Sequence, residues 1–127
     1  MDWANTQIQF SASAPLIEFK FDDGTNNYNV FVDGELENVI TTQQGLHSYP
    51  LTLDPGFHKI LVTKRTGPNF GVGRFLGLEL PEGGQLLEPH GIPTRKIEFI
   101  GDSYTVGYGN EGPALDCGGT YRPYENS

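Results

Sequence analysis

Ser103 is the residue best placed for covalent chemistry. It follows the short apolar run Lys96-Ile97-Glu98-Phe99-Ile100 and the small pair Gly101-Asp102. A short strand that stops at glycine and gives way to small polar residues is how an α/β domain begins. A hydroxyl at that point is aimed at the C-terminal edge of a parallel sheet, where sites of this class form. There it would serve as a nucleophile, with free backbone N–H groups of the following helix start stabilising an oxyanion. Asp102 and Ser103 also suit plain helix capping, and spacing alone leaves both readings open. The segment is not the G-x-S-x-G elbow of the α/β-hydrolases, because Thr105 stands two residues after Ser103.

Other groups offer weaker chemistry. Gly107-Tyr108-Gly109-Asn110-Glu111-Gly112 matches G-x-G-x-x-G, but the glycines begin well after the apolar run and Pro113 follows them, so a glycine-rich active-site loop is the better reading than a dinucleotide site. His47, His58 and His90 lack the i, i+4 or H-x-H spacing of metal ligands, so no metal and no cofactor is expected. His58 lies on a core-facing stripe and reads as a satisfied or edge-strand histidine. The turn Asp22-Asp23-Gly24-Thr25-Asn26-Asn27 carries oxygens that could ligate calcium, although its spacing fits no standard calcium loop and a solvated turn is the plainer reading. Trp3, Phe31 and Tyr49 are candidates for exposed rings on strands, and flat rings stack on sugars; core packing is the alternative.

The elements that must position these groups are strands. Ile8 and Phe10 alternate with Gln7 and Gln9. Ile17, Phe19 and Phe21 alternate with Glu18 and Lys20. Tyr28, Val30 and Val32 alternate with Asn29, Phe31 and Asp33. His58, Ile60 and Val62 alternate with Lys59, Leu61 and Thr63, and Leu76, Leu78 and Leu80 with Phe75, Gly77 and Glu79. This period of two marks strands with one buried face. Val39–Thr42 and Tyr49–Leu53 add two short runs. Asp33-Gly34 is a type I′ hairpin signal, since both central positions need positive φ. Asp54-Pro55-Gly56 is a turn in which proline presets φ and glycine takes the left-handed position. Strands at such regular spacing, without a helical period between them, predict a mainly β chain built as an antiparallel β-sandwich or jelly roll. Glu88-Pro89-His90-Gly91-Ile92-Pro93 is a linker. Residues 1–92 therefore read as the sandwich and residues 93–127 as the start of an α/β neighbour.

Composition closes off several functions. The 127 residues carry 16 acidic and 8 basic side chains, a net charge of −8, which opposes binding to nucleic acid or to anionic membrane. No apolar run approaches the ~18 residues of a membrane span. The one cysteine, Cys117, excludes an internal disulfide framework. Met1–Asn5 has neither a basic nor an apolar leader region, which fits a cytoplasmic home or a start lying further upstream.

Lys96–Asn110, with Gly-Asp-Ser and its Gly-Tyr-Gly-Asn extension, resembles the first block of an SGNH (GDSL) hydrolase, and more narrowly carbohydrate esterase family two. Upstream, Tyr28–Gly34 is similar to the family's xVxxDG hairpin, and Gly56-Phe57-His58 with Val62–Thr66 to its G-x-H … K-R-T strand. Arg122–Ser127 is similar to the segment before the first long helix of the catalytic domain. The resemblance covers almost the whole chain. It implies a jelly-roll β-sandwich at 1–92 followed, from 93, by the first strand and loop of an SGNH domain that is incomplete at Ser127.

The implied activity is deacetylation of acetylated sugars or xylan. Ser103 would be nucleophile and oxyanion N–H donor, Asp102 would support the turn rather than act as base, and Tyr104, Gly107, Tyr108, Gly109 and Asn110 would form the substrate loop. The implied partners are an acetylated polysaccharide or sugar ester and, within the protein, the catalytic domain that the sandwich packs against. The general-base histidine and the further Gly and Asn oxyanion donors would lie beyond Ser127, so these 127 residues alone are expected to be inactive. A non-catalytic carbohydrate-binding or structural sandwich is the alternative. The resemblance also implies a secreted protein, in which Cys117 would have a partner beyond the chain. One departure is Gly67, where the family pattern places glutamate after the Arg-Thr pair.

Overall fold

The computed structural model describes residues 1, 3–89, 94, 95, 97, 98, 100–102, 104, 105 and 107. The elements run β1 (Gln7–Ser13), β2 (Leu16–Asp23), β3 (Asn27–Val32), β4 (Glu35–Thr41), β5 (Gly45–Thr52), β6 (His58–Lys64), a 3₁₀ turn (Pro68–Phe70), β7 (Arg74–Glu79) and β8 (Gln85–Leu87). They form two antiparallel sheets, one ordered β4-β3-β6-β1-β8 and the other β5-β2-β7. The chain is thus mainly β, with no α-helix and no helix long and apolar enough to cross a membrane among the described residues.

The alternation read from the sequence becomes the two inner faces. Ile17, Phe19 and Phe21 of β2 are fully buried against Phe10, Tyr28, Val30, Ile60 and Val62 of the larger sheet. Phe21 stacks on Tyr28 with ring centroids 4.5 Å apart, and Phe10 meets Phe19 at 6.2 Å, so the two sheets face each other across one core. Each such ring removed from water stabilises the fold by about 1.5–3 kcal/mol.

Turn chemistry sets the register. Asp33 and Gly34 have φ of 52° and 97°, the type I′ geometry. A Cβ at Gly34 would meet nothing, so Gly34→Ala isolates the backbone strain. It should destabilise the chain by about 1 kcal/mol, read as a lowered urea midpoint with unchanged m-value. Gly56 takes φ of 140° in the Asp54-Pro55-Gly56 turn.

Three expectations change. Leu76 does not share a face with Leu78 and Leu80. The pairing of β2 with β7 shifts between Lys20 and Phe21, so Phe21 opposes Phe75 and Lys20 opposes Gly77, leaving Leu76 as the extra residue of a bulge. Phe75 consequently packs at 5.4 Å on Phe21, while Leu76 is exposed; Gly77, with φ of 124°, absorbs the bend. His58 is not on an edge strand, because β6 lies between β3 and β1 in the middle of its sheet. The three aromatics also diverge. Trp3 is exposed but precedes β1, Phe31 is half-buried on the outer face, and Tyr49 turns its edge to Phe21 and accepts the Gln43 N–H.

Candidate functional site

Gly101, Asp102, Tyr104, Thr105 and Gly107 form a tight turn. The Asp102 carboxylate accepts the Tyr104 N–H at 3.0 Å, its carbonyl accepts the Thr105 N–H at 3.1 Å, and the Tyr104 carbonyl accepts the Gly107 N–H at 3.2 Å. The side-chain bond is the local Asx geometry that aspartate favours at turns and helix starts. Gly107 has φ of 64°, and a Cβ on Gly101 would collide with the Thr105 side chain, which accounts for glycine at both positions. Asp102, Tyr104 and Gly107 thus share one turn, with the Tyr104 ring exposed. Ser103, Tyr108, Gly109 and Asn110 lie outside the described residues, as do His90 and Cys117. Ile97, Glu98 and Ile100 of the expected first strand are in no sheet, and Ile97 and Ile100 are exposed. A strand is defined by its ladder, and the described residues supply no parallel neighbour for this one.

The acidic turn between β2 and β3 is the most densely bonded part of the sandwich. Asp23 Oδ1 accepts the N–H groups of Gly24 and Thr25 at 2.6 and 3.2 Å and the Asn26 amide at 2.9 Å. Asp23 Oδ2 accepts the Tyr28 hydroxyl at 2.7 Å. Asn26, fully buried, also donates to the Gly71 carbonyl, and its own Oδ1 accepts the Thr66 hydroxyl at 2.6 Å. Lys64, 1% exposed, donates its ammonium to the carbonyls of Thr66 and Gly67 at 2.9 and 3.3 Å. A cation would have to displace these donors, and no group of three acidic, His or Cys residues with metal-binding geometry occurs among the described residues. This turn locks the β2–β3 and β6–β7 connections together. Burial pushes the Asp23 carboxyl up, but the bonds from Tyr28, Gly24, Thr25 and Asn26 outweigh it and hold it below the usual 3.8. Burial, with the Asp23 carboxylate beside it, pushes the Tyr28 phenol far up. Gly67, where the family pattern has glutamate, is buried and contributes the carbonyl that receives Lys64.

At the opposite end, His58 pairs with Asp33 at 2.7 Å, although 25 residues separate them. With Val32, Glu37, Thr52, Leu53 and Asp54 they line a cleft of about 310 Å³. Sequence spacing concealed both clusters. The hairpin motif and the histidine motif could each be seen, but only the pairing of β3 with β6 brings them together. His47 is simply satisfied by the Gln44 carbonyl at 3.0 Å.

Known proteins match this architecture. Residues 1–89 match the family described as carbohydrate esterase 2 N-terminal. The chain is 36% identical over 128 residues to an acetylxylan esterase / glucomannan deacetylase of Cellvibrio japonicus, covering 90% of this chain and 34% of that protein. It is 33% identical over 115 residues to the cellulase/esterase CelE of Acetivibrio thermocellus, covering 89% of this chain and 14% of that one. A solved family two carbohydrate esterase from Clostridium thermocellum, in complex with cellohexaose, superposes with a TM-score of 0.81 at 30% identity over 89% of this chain and 35% of its own. The chain therefore spans about a third of the length of its esterase relatives in Cellvibrio and Clostridium. A family match that runs through every strand of both sheets, with a solved relative superposing on the same sandwich, makes this chain the N-terminal part of a carbohydrate esterase and a member of carbohydrate esterase family 2.

Proposed function

We propose that the protein to which this chain belongs is an exported serine esterase of SGNH type that removes acetyl groups from sugars or xylan. In this reading residues 1–92 are a jelly-roll sandwich, residues 93–127 begin the catalytic domain, and the sandwich packs against the remainder of that domain. Ser103 attacks the ester carbonyl and forms an acyl-enzyme, and its backbone N–H is one oxyanion donor. The proton of the Ser103 hydroxyl goes to a histidine beyond Ser127, which returns it to the departing sugar alkoxide; water then releases acetate. The observation that supports this reading is the turn in which the Asp102 carboxylate accepts the Tyr104 N–H, on a chain of this family.

The experiment compares two proteins on p-nitrophenyl acetate and acetylated xylan. One is the 127-residue chain, and the other is a chimera completed with the remaining two thirds of the Cellvibrio esterase. The chain alone should show no turnover above background and the chimera should turn over both substrates. Turnover by the 127 residues that Ser103→Ala abolishes would overturn the claim that the base lies beyond Ser127. The alternative, a sugar-binding sandwich, is favoured by the exposed Trp3. Titration of the chain with cello-oligosaccharides would then change Trp3 fluorescence, and an unchanged spectrum argues against it.

A further inference from the structure

The His58 ring has an acceptor at each nitrogen. Nδ1 lies 2.7 Å from Asp33 Oδ2, and Nε2 lies 3.0 Å from the Asp54 carbonyl. A neutral imidazole donates from one nitrogen only, so this pair of contacts is satisfied in full only by the imidazolium. The acceptors belong to different connections, Asp33 to the β3–β4 hairpin and Asp54 to the turn between β5 and β6. Asp33 is itself fixed, because its Oδ1 accepts the Lys59 N–H at 2.8 Å and its own N–H donates to the Lys59 carbonyl at 2.8 Å. Its second oxygen is thereby aimed at the ring. The charged groups facing His58 are Asp33 from the hairpin, Asp54 from the β5–β6 turn and Glu37 from β4, with Lys59 adjacent on β6. Glu37 reaches the cleft because the β3–β4 pairing shifts between Val30 and Phe31, leaving it as the extra residue of a bulge.

We propose that His58 is a pH-dependent latch: with both ring nitrogens protonated it ties the β3–β4 hairpin to the β5–β6 turn, and on losing one proton it releases the β5–β6 turn at the mouth of the cleft. The proton that remains stays on Nδ1, facing the carboxylate, since this acceptor is charged and the Asp54 carbonyl is not. The Nε2 lone pair then faces a carbonyl oxygen, and that contact becomes repulsive. Phe57, exposed beside His58 in the released turn, moves with it.

The hydrogen bond to Asp33, helped by that to the Asp54 carbonyl, raises His58 above its usual 6.5 against the opposing effect of burial. The Lys59 N–H and then His58 hold Asp33 below 3.8. The His58 contribution is therefore complete below 6.5 and is lost as pH rises through the raised value. The Asp33 contribution is present above 3.8 and is lost as pH falls through the lowered value. The latch is closed between these limits and opens on the alkaline side.

Ring-nitrogen NMR on the 127-residue chain tests this, together with amide exchange. At about pH 6 both His58 nitrogens should be protonated, with a midpoint above that of a free histidine. Across that midpoint, the backbone order parameters of the exposed Gly56 and Phe57 should fall, while β6 amides from Ile60 onward keep their exchange protection. Asp33→Asn should lower the His58 midpoint, and Glu37→Gln should shift it far less. A neutral single tautomer at about pH 6, or turn order parameters unchanged across the midpoint, overturns the proposal. The wild-type titration decides the matter even where a variant fails to fold.

Discussion

Replacing Ser103 with alanine in the completed chimera should lower kcat/KM for acetylated xylan by about a thousandfold or more. The hydroxyl supplies the oxygen that attacks the ester carbonyl in the proposed reaction, and alanine has none to offer. The substitution leaves the backbone N–H in place, so the oxyanion contact and substrate binding remain, and the loss should fall on kcat with KM little changed. The turn should survive as well, because bonds among the Asp102 carboxylate and the backbone of Asp102, Tyr104, Thr105 and Gly107 hold it. Steady-state kinetics on xylan and on p-nitrophenyl acetate, with an unchanged melting temperature, check both halves of the expectation. Activity within about tenfold of the parent would remove Ser103 from the role of nucleophile.

The second large effect is on stability. Asp23→Ala should destabilise the sandwich by about 3 kcal/mol or more, a sizeable part of a small domain's total. Asp23 is 7% exposed and receives four donors: the Tyr28 hydroxyl, the N–H groups of Gly24 and Thr25, and the Asn26 amide. Alanine leaves the fully buried Tyr28 hydroxyl with its bond unmade and opens a hole beside it. Asn26 keeps the Gly71 carbonyl, which tempers the cost. Water cannot enter freely, because the loop at Gly73 closes over the pair; a Cβ on Gly73 would collide with both the Tyr28 hydroxyl and the Asp23 carboxylate.

Asp23→Asn should cost less, since an amide oxygen still accepts the backbone N–H groups. The two variants also differ in pH response. The Asp23 carboxyl is lower in the folded chain than its usual 3.8, so its stabilisation is present above that value and is lost as pH falls through the folded value. Urea unfolding at about pH 7 and pH 3 should therefore show a larger acid loss for the parent than for Asp23→Asn. Equal acid losses would show that other carboxylates dominate.

Much of this was legible in the order of residues. The strands follow from a period of two, because each side of a strand faces either the core or water, and that choice is written residue by residue in Ile17, Phe19, Phe21 against Glu18, Lys20, Asp22. The Asp33-Gly34 and Asp54-Pro55-Gly56 turns follow from φ preferences local to one or two residues. The family was legible too, in Gly101-Asp102-Ser103 and in the hairpin and K-R-T motifs.

What the sequence could not reveal depends on partners far along the chain. The bulge that turns Leu76 to solvent and Phe75 inward arises from the register between β2 and β7, strands 50 or so residues apart, and a one-residue slip reverses every side chain beyond it. The acidic turn read as solvent-facing or as a calcium ligand; packing of Tyr28, Asn26, Thr66 and Lys64 around it made Asp23 a buried acceptor instead. His58 read as a satisfied or edge-strand histidine; it is satisfied, on a β6 that lies between β3 and β1, beside Asp33. Local chemistry thus determined which residues form the strands and turns of the two sheets, and it singled out Ser103 as a candidate nucleophile. Only the tertiary pairing decided which polar groups would meet, because a hydrogen bond between residues 25 or 40 positions apart leaves no periodic trace in either segment.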